Sequence, residues 1–267
     1  MPIDASPRAA RRYWEAVASK WTESHRDELW RRCSDLVHVW WIEGVARDLP
    51  PGCLLKTDLF DEAFGDGLEP WFAERGHKVV ACDLALATAV GASRKRASMP
   101  AAVADVRRLP FPASAFDTVF SDSTLDHFDS EHDLRRSLRE LCRVLRPGGV
   151  LMLTMDNPGN PFVWLRNLRP AFWMRLGLVP YEVGVTCGAP RLTRLLDAAG
   201  FDVAAPRTIL HAPRVLLVPV CRWLASRGSS QPGPRWRAWL GRFERLDRLP
   251  TRWLTGHFIA VVARKRP

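Results

Sequence analysis

The sequence predicts a doubly wound α/β domain built on a mainly parallel sheet, and three observations carry that reading. Short apolar runs at 53–57, 78–82, 101–103, 116–120 and 150–155 alternate with amphipathic stretches at 68–75, 85–93 and 131–145. Parallel strands joined by crossover helices require that order. Gly76, Gly148-Gly149 and Gly200 fall where helices should end and turns begin. Asp83 ends the second run and Asp105 follows the third, at the carboxyl ends of strands where such sheets bind ligands.

Composition sets the outer limits. The chain has 267 residues, enough for one large domain with an elaboration, and its 47% hydrophobic and 25% charged residues are ordinary for a globular protein. A net charge of +10 suits an anionic partner such as nucleic acid, phospholipid or an acidic substrate, or reflects general Arg-, Ala- and Pro-rich usage. Six cysteines are scattered without a CxxC pair, which argues against a zinc ribbon or a disulfide framework and fits free thiols in a reducing compartment. No metal is expected. The N-terminus has no apolar signal core, and the longest apolar run, near 215–220, is broken by Pro219. That run is too short to span a bilayer, so a cytoplasmic protein is expected.

The elements follow in order. Over 6–49, Trp14, Val17, Trp21, Leu29, Trp30, Leu36, Val39 and Trp40 recur at helical spacing, closed by Pro50-Pro51-Gly52. Residues 1–52 are therefore read as an N-terminal helical cap. The α/β core takes 53–208 and 255–267, with a helix at 190–199 and closing strands at 201–204 and 258–263. Within it, 157–180 is a Pro-, Asn- and Trp-rich excursion. A late insertion, 209–254, contains the linker SRGSSQPGP and an Arg/Trp-rich helix, RWRAWLGRFERL.

The stretch 103–149 is the most specific. It reads VADVRRLPFPASAFDTVFSDSTLDHF and then DLRRSLRELCRVLRPGG. An acid after a short strand, LPFP before an FD-led strand, an amphipathic helix and a Pro-Gly-Gly turn together resemble the second half of a class I S-adenosylmethionine-dependent methyltransferase. The resemblance is to the broad type-11 group that includes the ubiquinone/menaquinone methyltransferases. It implies a Rossmann-like, seven-stranded sheet and S-adenosylmethionine as cofactor. By that resemblance Asp83 accepts the ribose hydroxyls, with Leu84 beside it. Asp105 accepts from the adenine amino group, the Val106 amide meets a ring nitrogen, and Ser121 ends the fourth strand next to the cofactor. Alternatively, Asp83 caps the following helix and Asp105 is a turn carboxylate.

The first turn departs from the family. In place of an acid followed by closely spaced glycines, the chain reads CLLKTDLFDEAFGDGLEPW. Lys56 or Asp58 fills the acidic slot, and Gly65 and Gly67 come late. Asp58, Asp61 and Glu62 can hold the cofactor's ammonium, or Lys56 can pair with them. A dinucleotide reductase would need G-x-G-x-x-G directly after the first strand, and that motif is absent.

At the reacting centre His127 is the candidate base, oriented by Asp126 or Asp122, or else it packs beside the cofactor. Asp156, Asn157 and Asn160 can orient a polar acceptor group or form simple Asx-turns. Tyr181 and Glu182 are candidate acceptor-lining residues. Tryptophans concentrated outside the sheet favour a small hydrophobic or aromatic acceptor, natural-product, quinone-like or lipid-related, in secondary metabolism. In 235–249, Trp236, Trp239, Leu240 and Phe243 either enter a lipid headgroup layer or pack on the domain. A nucleic-acid partner is not expected. The alternative to methyl transfer is a non-catalytic binding or scaffolding protein at a membrane surface.

Overall fold

The computed structural model describes residues 7–22, 27–46, 49–175, 179, 181 and 183–267. Ser6 and Glu182 lie outside them.

Two helices lead, α1 (Pro7–Thr22) and α2 (Glu28–Val45). The first half of the sheet follows: β1 (Cys53–Lys56), α3 (Phe60–Phe64), α4 (Glu69–Glu74), β2 (Lys78–Asp83), α5 (Leu86–Lys95) and β3 (Ala101–Val103). Then come β4 (Phe116–Asp122), a 3₁₀ turn at Leu125–His127, α6 (Glu131–Val144) and the long β5 (Leu145–Asp156). The excursion folds as α7 (Pro161–Leu168) and α8 (Pro170–Arg175), before α9 (Ala189–Ala198), β6 (Phe201–Val203) and β7 (Arg207–Ile209). Last are α10 (Arg214–Ser226), α11 (Pro234–Glu244), α12 (Arg252–Thr255) and β8 (Phe258–Lys265).

The sheet order is β3-β2-β1-β4-β5-β8, with β6 and β7 both on the far edge of β8. β6 pairs Val203 with Ala263, and β7 pairs Ile209 with Phe258. The seventh position is thus shared by two short segments end to end. The strands from β3 to β5 pair in parallel, and β8 runs antiparallel to its neighbours. The reversal of strand order between β1 and β4 creates the switch point at which ligands bind in such sheets.

Period-two alternation along the central strands builds a core on each face. Leu54, Phe120 and Met152 join α2 on one side, whereas Leu55, Val119, Leu151 and Leu153 meet α6 and α9 on the other. The crossover helix α6 starts where the Ser130 hydroxyl accepts from the Asp133 amide at 3.2 Å, and it buries Leu134, Leu138 and Leu141 as one stripe.

The Arg/Trp-rich segment takes the second of its two expected placements and packs on the domain. Leu240 is fully buried, and Trp236, Trp239 and Phe243 pack against the α2 core. The Trp236 and Trp239 rings stack with centroids 4.7 Å apart, and the Trp236 indole donates to the Cys33 sulfur at 3.1 Å. Apolar area that α2 can bury is unavailable to a headgroup layer, so the interfacial reading fails for these residues.

Candidate active site

A cavity of about 970 Å³ lies over the carboxyl ends of β1, β2, β4 and β5, between the sheet, the leading helices and the later excursions. That is at the upper end for small-molecule sites and leaves room for a nucleoside cofactor with a second ligand. Its two halves differ chemically.

The half over β1–β3 is rich in carboxylates. Asp58, Asp61, Asp83, Leu84, Asp105 and Val106 all line it. Asp83 stands at the end of β2, with its Oδ1 accepting from the Ala85 amide at 2.8 Å and its Oδ2 from the Leu59 amide at 3.1 Å. Each oxygen retains accepting capacity for a diol. Burial, and then the Asp58 carboxylate, push the Asp83 pKa up to about 7. Burial also raises Asp58. Carboxylates raised in this way are ionised more readily once a cation is bound beside them.

The departing first turn is explained by Lys56. This side chain ends β1 almost fully buried, with Nζ 2.8 Å from Glu62 Oε2, 3.0 Å from Asp58 Oδ2 and 2.6 Å from the Asp58 carbonyl. Burial alone would lower the lysine pKa, but the surrounding carboxylates hold it well above its ordinary value. Glu62 is wholly buried, and its Oε1 accepts from the Leu68 and Glu69 amides. Gly67, at φ 67°, lets the chain wrap that carboxylate, because a Cβ there would lie 2.6 Å from Glu62 Oε1. Glu62, Gly65 and Gly67 therefore brace the turn and do not reach the cavity wall. Gly67 thus accommodates the buried Glu62 of the Lys56 ion pair, while Gly65 lies against Arg31. Asp61 pairs with Arg31 of α2 at 2.5 Å, and Arg31 lies 4.6 Å above both the Trp21 and Phe60 rings.

Asp105 is also engaged. Arg107 grips both its oxygens, with Nη2 2.7 Å from Oδ2 and Nε 3.0 Å from Oδ1, and holds Asp133 at 3.1 Å. An amino group arriving at Asp105 would share it with a guanidinium that has a second carboxylate to turn to. Ser121 is fully buried beneath the wall and accepts from the Thr57 hydroxyl at 2.9 Å; Thr57 is the residue that lines the cavity.

The half over β4 and β5 is aromatic. The His127 ring meets Trp14 of α1 edge to face at 4.6 Å and Tyr181 at 5.3 Å. Tyr181 reaches it because Gly184 runs against the 3₁₀ turn, its amide donating to the Asp126 carbonyl at 2.7 Å. A Cβ at Gly184 would fall 2.2 Å from the Phe128 carbonyl, so only glycine fits. His127 Nε2 is 3.8 Å from Asp126 Oδ1, beyond hydrogen-bond range, and its buried Nδ1 has no hydrogen-bond partner among the described residues. Asp126 is fixed instead by the Ser123 hydroxyl at 2.9 Å and the Asp156 amide at 3.1 Å.

Of the two expected orienting acids, Asp122 is committed elsewhere. Its Oδ1 lies 3.1 Å from Nε2 of His38, a cap residue whose Nδ1 is 2.9 Å from the Ser34 carbonyl. Burial would lower the His38 pKa, yet Asp122 holds it up to about 9. Against its own burial, Asp122 is held at about 2 by His38. This pair ties α2 to the end of β4.

Among the acceptor-side candidates, Asp156, Asn160 and Tyr181 line the cavity and Asn157 does not. The Asn157 amide donates to the Trp253 and Gly256 carbonyls at 2.8 and 2.9 Å, so it clamps the approach to β8. Asp156 pairs with Arg166 of α7 at 2.5 Å. Beside it Arg214 donates to His257 Nε2 at 3.3 Å, which leaves that imidazole neutral; burial and the two guanidiniums hold its pKa down near 3. Arg31, His38, Arg107, Arg166, Arg214 and His257 all line the cavity, and sequence reasoning singled out none of them.

The fold is that of a doubly wound α/β domain with a cavity at its switch point. Residues 63–153 match the family described as "Methyltransferase domain". Over that stretch the chain is similar to the class I S-adenosylmethionine-dependent methyltransferases, a family that uses S-adenosylmethionine. It is 35% identical over 117 residues to a malonyl-[acyl-carrier protein] O-methyltransferase of Salmonella typhimurium, covering 43% of this chain and 44% of that one. It is 34% identical over 121 residues to a demethylmenaquinone methyltransferase of Paenarthrobacter aurescens, covering 44% and 45%. The chain thus spans under half the length of these curated relatives. The fold resembles that of a Thermotoga maritima protein described as an S-adenosylmethionine-dependent methyltransferase, possible histamine N-methyltransferase. There the TM-score is 0.63 at 15% identity, over 96% of this chain and 99% of the other.

Proposed function

We propose that the chain transfers a methyl group from S-adenosylmethionine to a small hydrophobic or aromatic acceptor, in natural-product, quinone-like or lipid-related chemistry of the cytoplasm. The observation that carries this reading is the two-ended cavity. Carboxylates whose pKa values are raised by burial and by one another suit a cationic nucleoside, and an aromatic-lined half adjoins them. When bound, the cofactor supplies an electrophilic methyl on its sulfonium.

The chain's own residues bind and orient. Asp83 takes the ribose hydroxyls, Asp58 faces the cationic methionine end, and Asp105 with the Val106 amide meets the base. Trp14 and Tyr181 present ring faces and edges to the acceptor, which restricts its orientation; positioning of this kind is worth about 7–11 kcal/mol of barrier at best. His127 is the group able to accept a proton from an acceptor that must lose one, since its ring lines the cavity.

The first test is calorimetric titration with S-adenosylmethionine. Micromolar binding is expected, whereas absence of binding to a folded sample would favour the scaffolding alternative. Because Asp83 titrates near 7 and the bound cation and diol favour its ionised form, binding should release a proton. Affinity should therefore rise with pH between about 6 and 8. Titrations at pH 7 in buffers of different ionisation enthalpy read that proton directly, and identical heats would remove Asp83 from the ligand.

Once an acceptor is in hand, His127→Asn should lower kcat by about 10²-fold or more and leave the cofactor Kd unchanged. A change confined to KM would make His127 a packing residue.

A further inference from the structure

The mouth of the cavity is built from helices that expose far more apolar surface than a soluble domain needs. On one side, α7 and α8 present Phe162, Trp164, Leu165, Leu168 and Phe172; on the other, α10 presents Val215, Leu216, Val220 and Trp223. Trp164 is 56% exposed, Leu168 55%, Leu216 65% and Trp223 52%. Phe162, Leu165 and Val215 belong to this exposed set and to the cavity lining at once, so the two patches border one opening. Contiguous apolar rims of this kind mark interaction surfaces.

The charge carried by these helices themselves is of one sign, although Arg222 of α10 pairs with Asp27 and Arg166 of α7 with Asp156. No Asp or Glu occurs in 157–181 or in 203–243, while the first stretch holds three arginines and the second seven. Arg169, Arg175 and Arg227 are exposed on or next to these helices. Arg227 lies 4.1 Å over the Trp223 ring, an indole–guanidinium pair suited to the level of lipid headgroups. Large apolar side chains interleaved with the exposed Arg169, Arg175 and Arg227 fit a layer that offers hydrocarbon beneath phosphate.

We propose that α7–α8 and α10 dock this chain on an anionic lipid surface, so that the cavity opens toward the bilayer and a hydrophobic acceptor enters from it. The entry route rests on the hydrophobic-acceptor reading above; the docking does not. No described helix is long and apolar enough to cross a membrane, so the attachment is peripheral.

The experiment is co-sedimentation of the full chain with vesicles of phosphatidylcholine alone and of phosphatidylcholine with phosphatidylglycerol. Binding should appear with the anionic vesicles and weaken as salt rises past the screening range. Trp164→Asp and Leu216→Asp alter exposed positions off the cavity wall, and each should weaken vesicle binding by about tenfold or more while keeping the fold. S-adenosylmethionine affinity, measured on the same variants, should not change. No anionic-vesicle binding overturns the proposal, as does binding indifferent to both variants. A dimer of this chain dispersed by Leu216→Asp, or preferential capture of an acidic carrier protein over vesicles, would likewise assign the face to another occupant. Cofactor binding without vesicle binding sinks this inference alone. Vesicle binding without cofactor binding leaves it standing and removes the methyl-transfer reading.

Discussion

Asp83→Ala should weaken S-adenosylmethionine binding by about 10²–10⁴-fold. Two hydroxyl donors meeting one carboxylate are worth about 1.5–3 kcal/mol each when the acceptor is charged, and the substitution removes both. The same carboxylate also holds the Leu59 and Ala85 amides, so part of the loss would come through the loop between β1 and α3. Asp83→Asn separates the two contributions, because it retains one oxygen for an amide and loses the charge. Calorimetry with thermal denaturation on both variants checks this. Full affinity in a folded Asp83→Ala protein would take the nucleoside away from the end of β2.

The second large effect concerns stability. His38→Ala should cost about 3–5 kcal/mol, because it leaves the Asp122 carboxylate buried without its counter-charge. The sign with pH follows from the two shifts. With its pKa raised to about 9, His38 contributes fully below its ordinary 6.5 and loses that contribution as pH rises through 9. With its pKa lowered to about 2, Asp122 contributes above its ordinary 3.8 and loses that contribution as pH falls through 2. Both contributions are whole between about pH 4 and 6.5. The gap in denaturation free energy between the parent and His38→Ala should therefore be widest near pH 6, narrow as pH rises from about 6.5 to about 9, and be level above that. A gap constant across that range would reduce His38 to a packing residue.

The sheet was legible because its signals are local. Apolar runs, the Ser130 cap and the Pro-Gly-Gly turn each lie within a few residues of the element they define, and the boundaries fell within a few residues except in β5. That strand begins at Leu145, five residues before its apolar run, because Arg146 to Gly149 continue the extended path. The short α3 was not foreseen, since FDEAF is too brief to show a period.

The site was legible where a residue's role follows from its place at a strand end, as Asp83, Asp105 and Asp156 do by lining the cavity. It was illegible where charge is shared across the fold. Nothing local distinguishes Arg107 or Arg31 from the other arginines of this chain, and His38 looks like one position on a long amphipathic helix. Glu62, Gly65 and Gly67 looked like ligands because they sit beside the expected turn. The sequence did not show that Lys56 folds back onto Glu62, with Gly67 making room for it. For Trp236 and its neighbours, helical spacing marked an apolar face correctly but could not say whether α2 or lipid would cover it.

Helix α1 links the two ends of the cavity. Trp14 touches His127, and the adjacent Glu15 accepts from the Leu86 and Ala87 amides at 2.6 and 3.1 Å, at the start of the helix that follows Asp83. Consecutive residues of a helix move as one body. The indole over the aromatic half and the carboxylate over the carboxylate-rich half of the cavity are therefore carried by one rigid element, so that a substitution loosening α1 at either contact loosens it at the other.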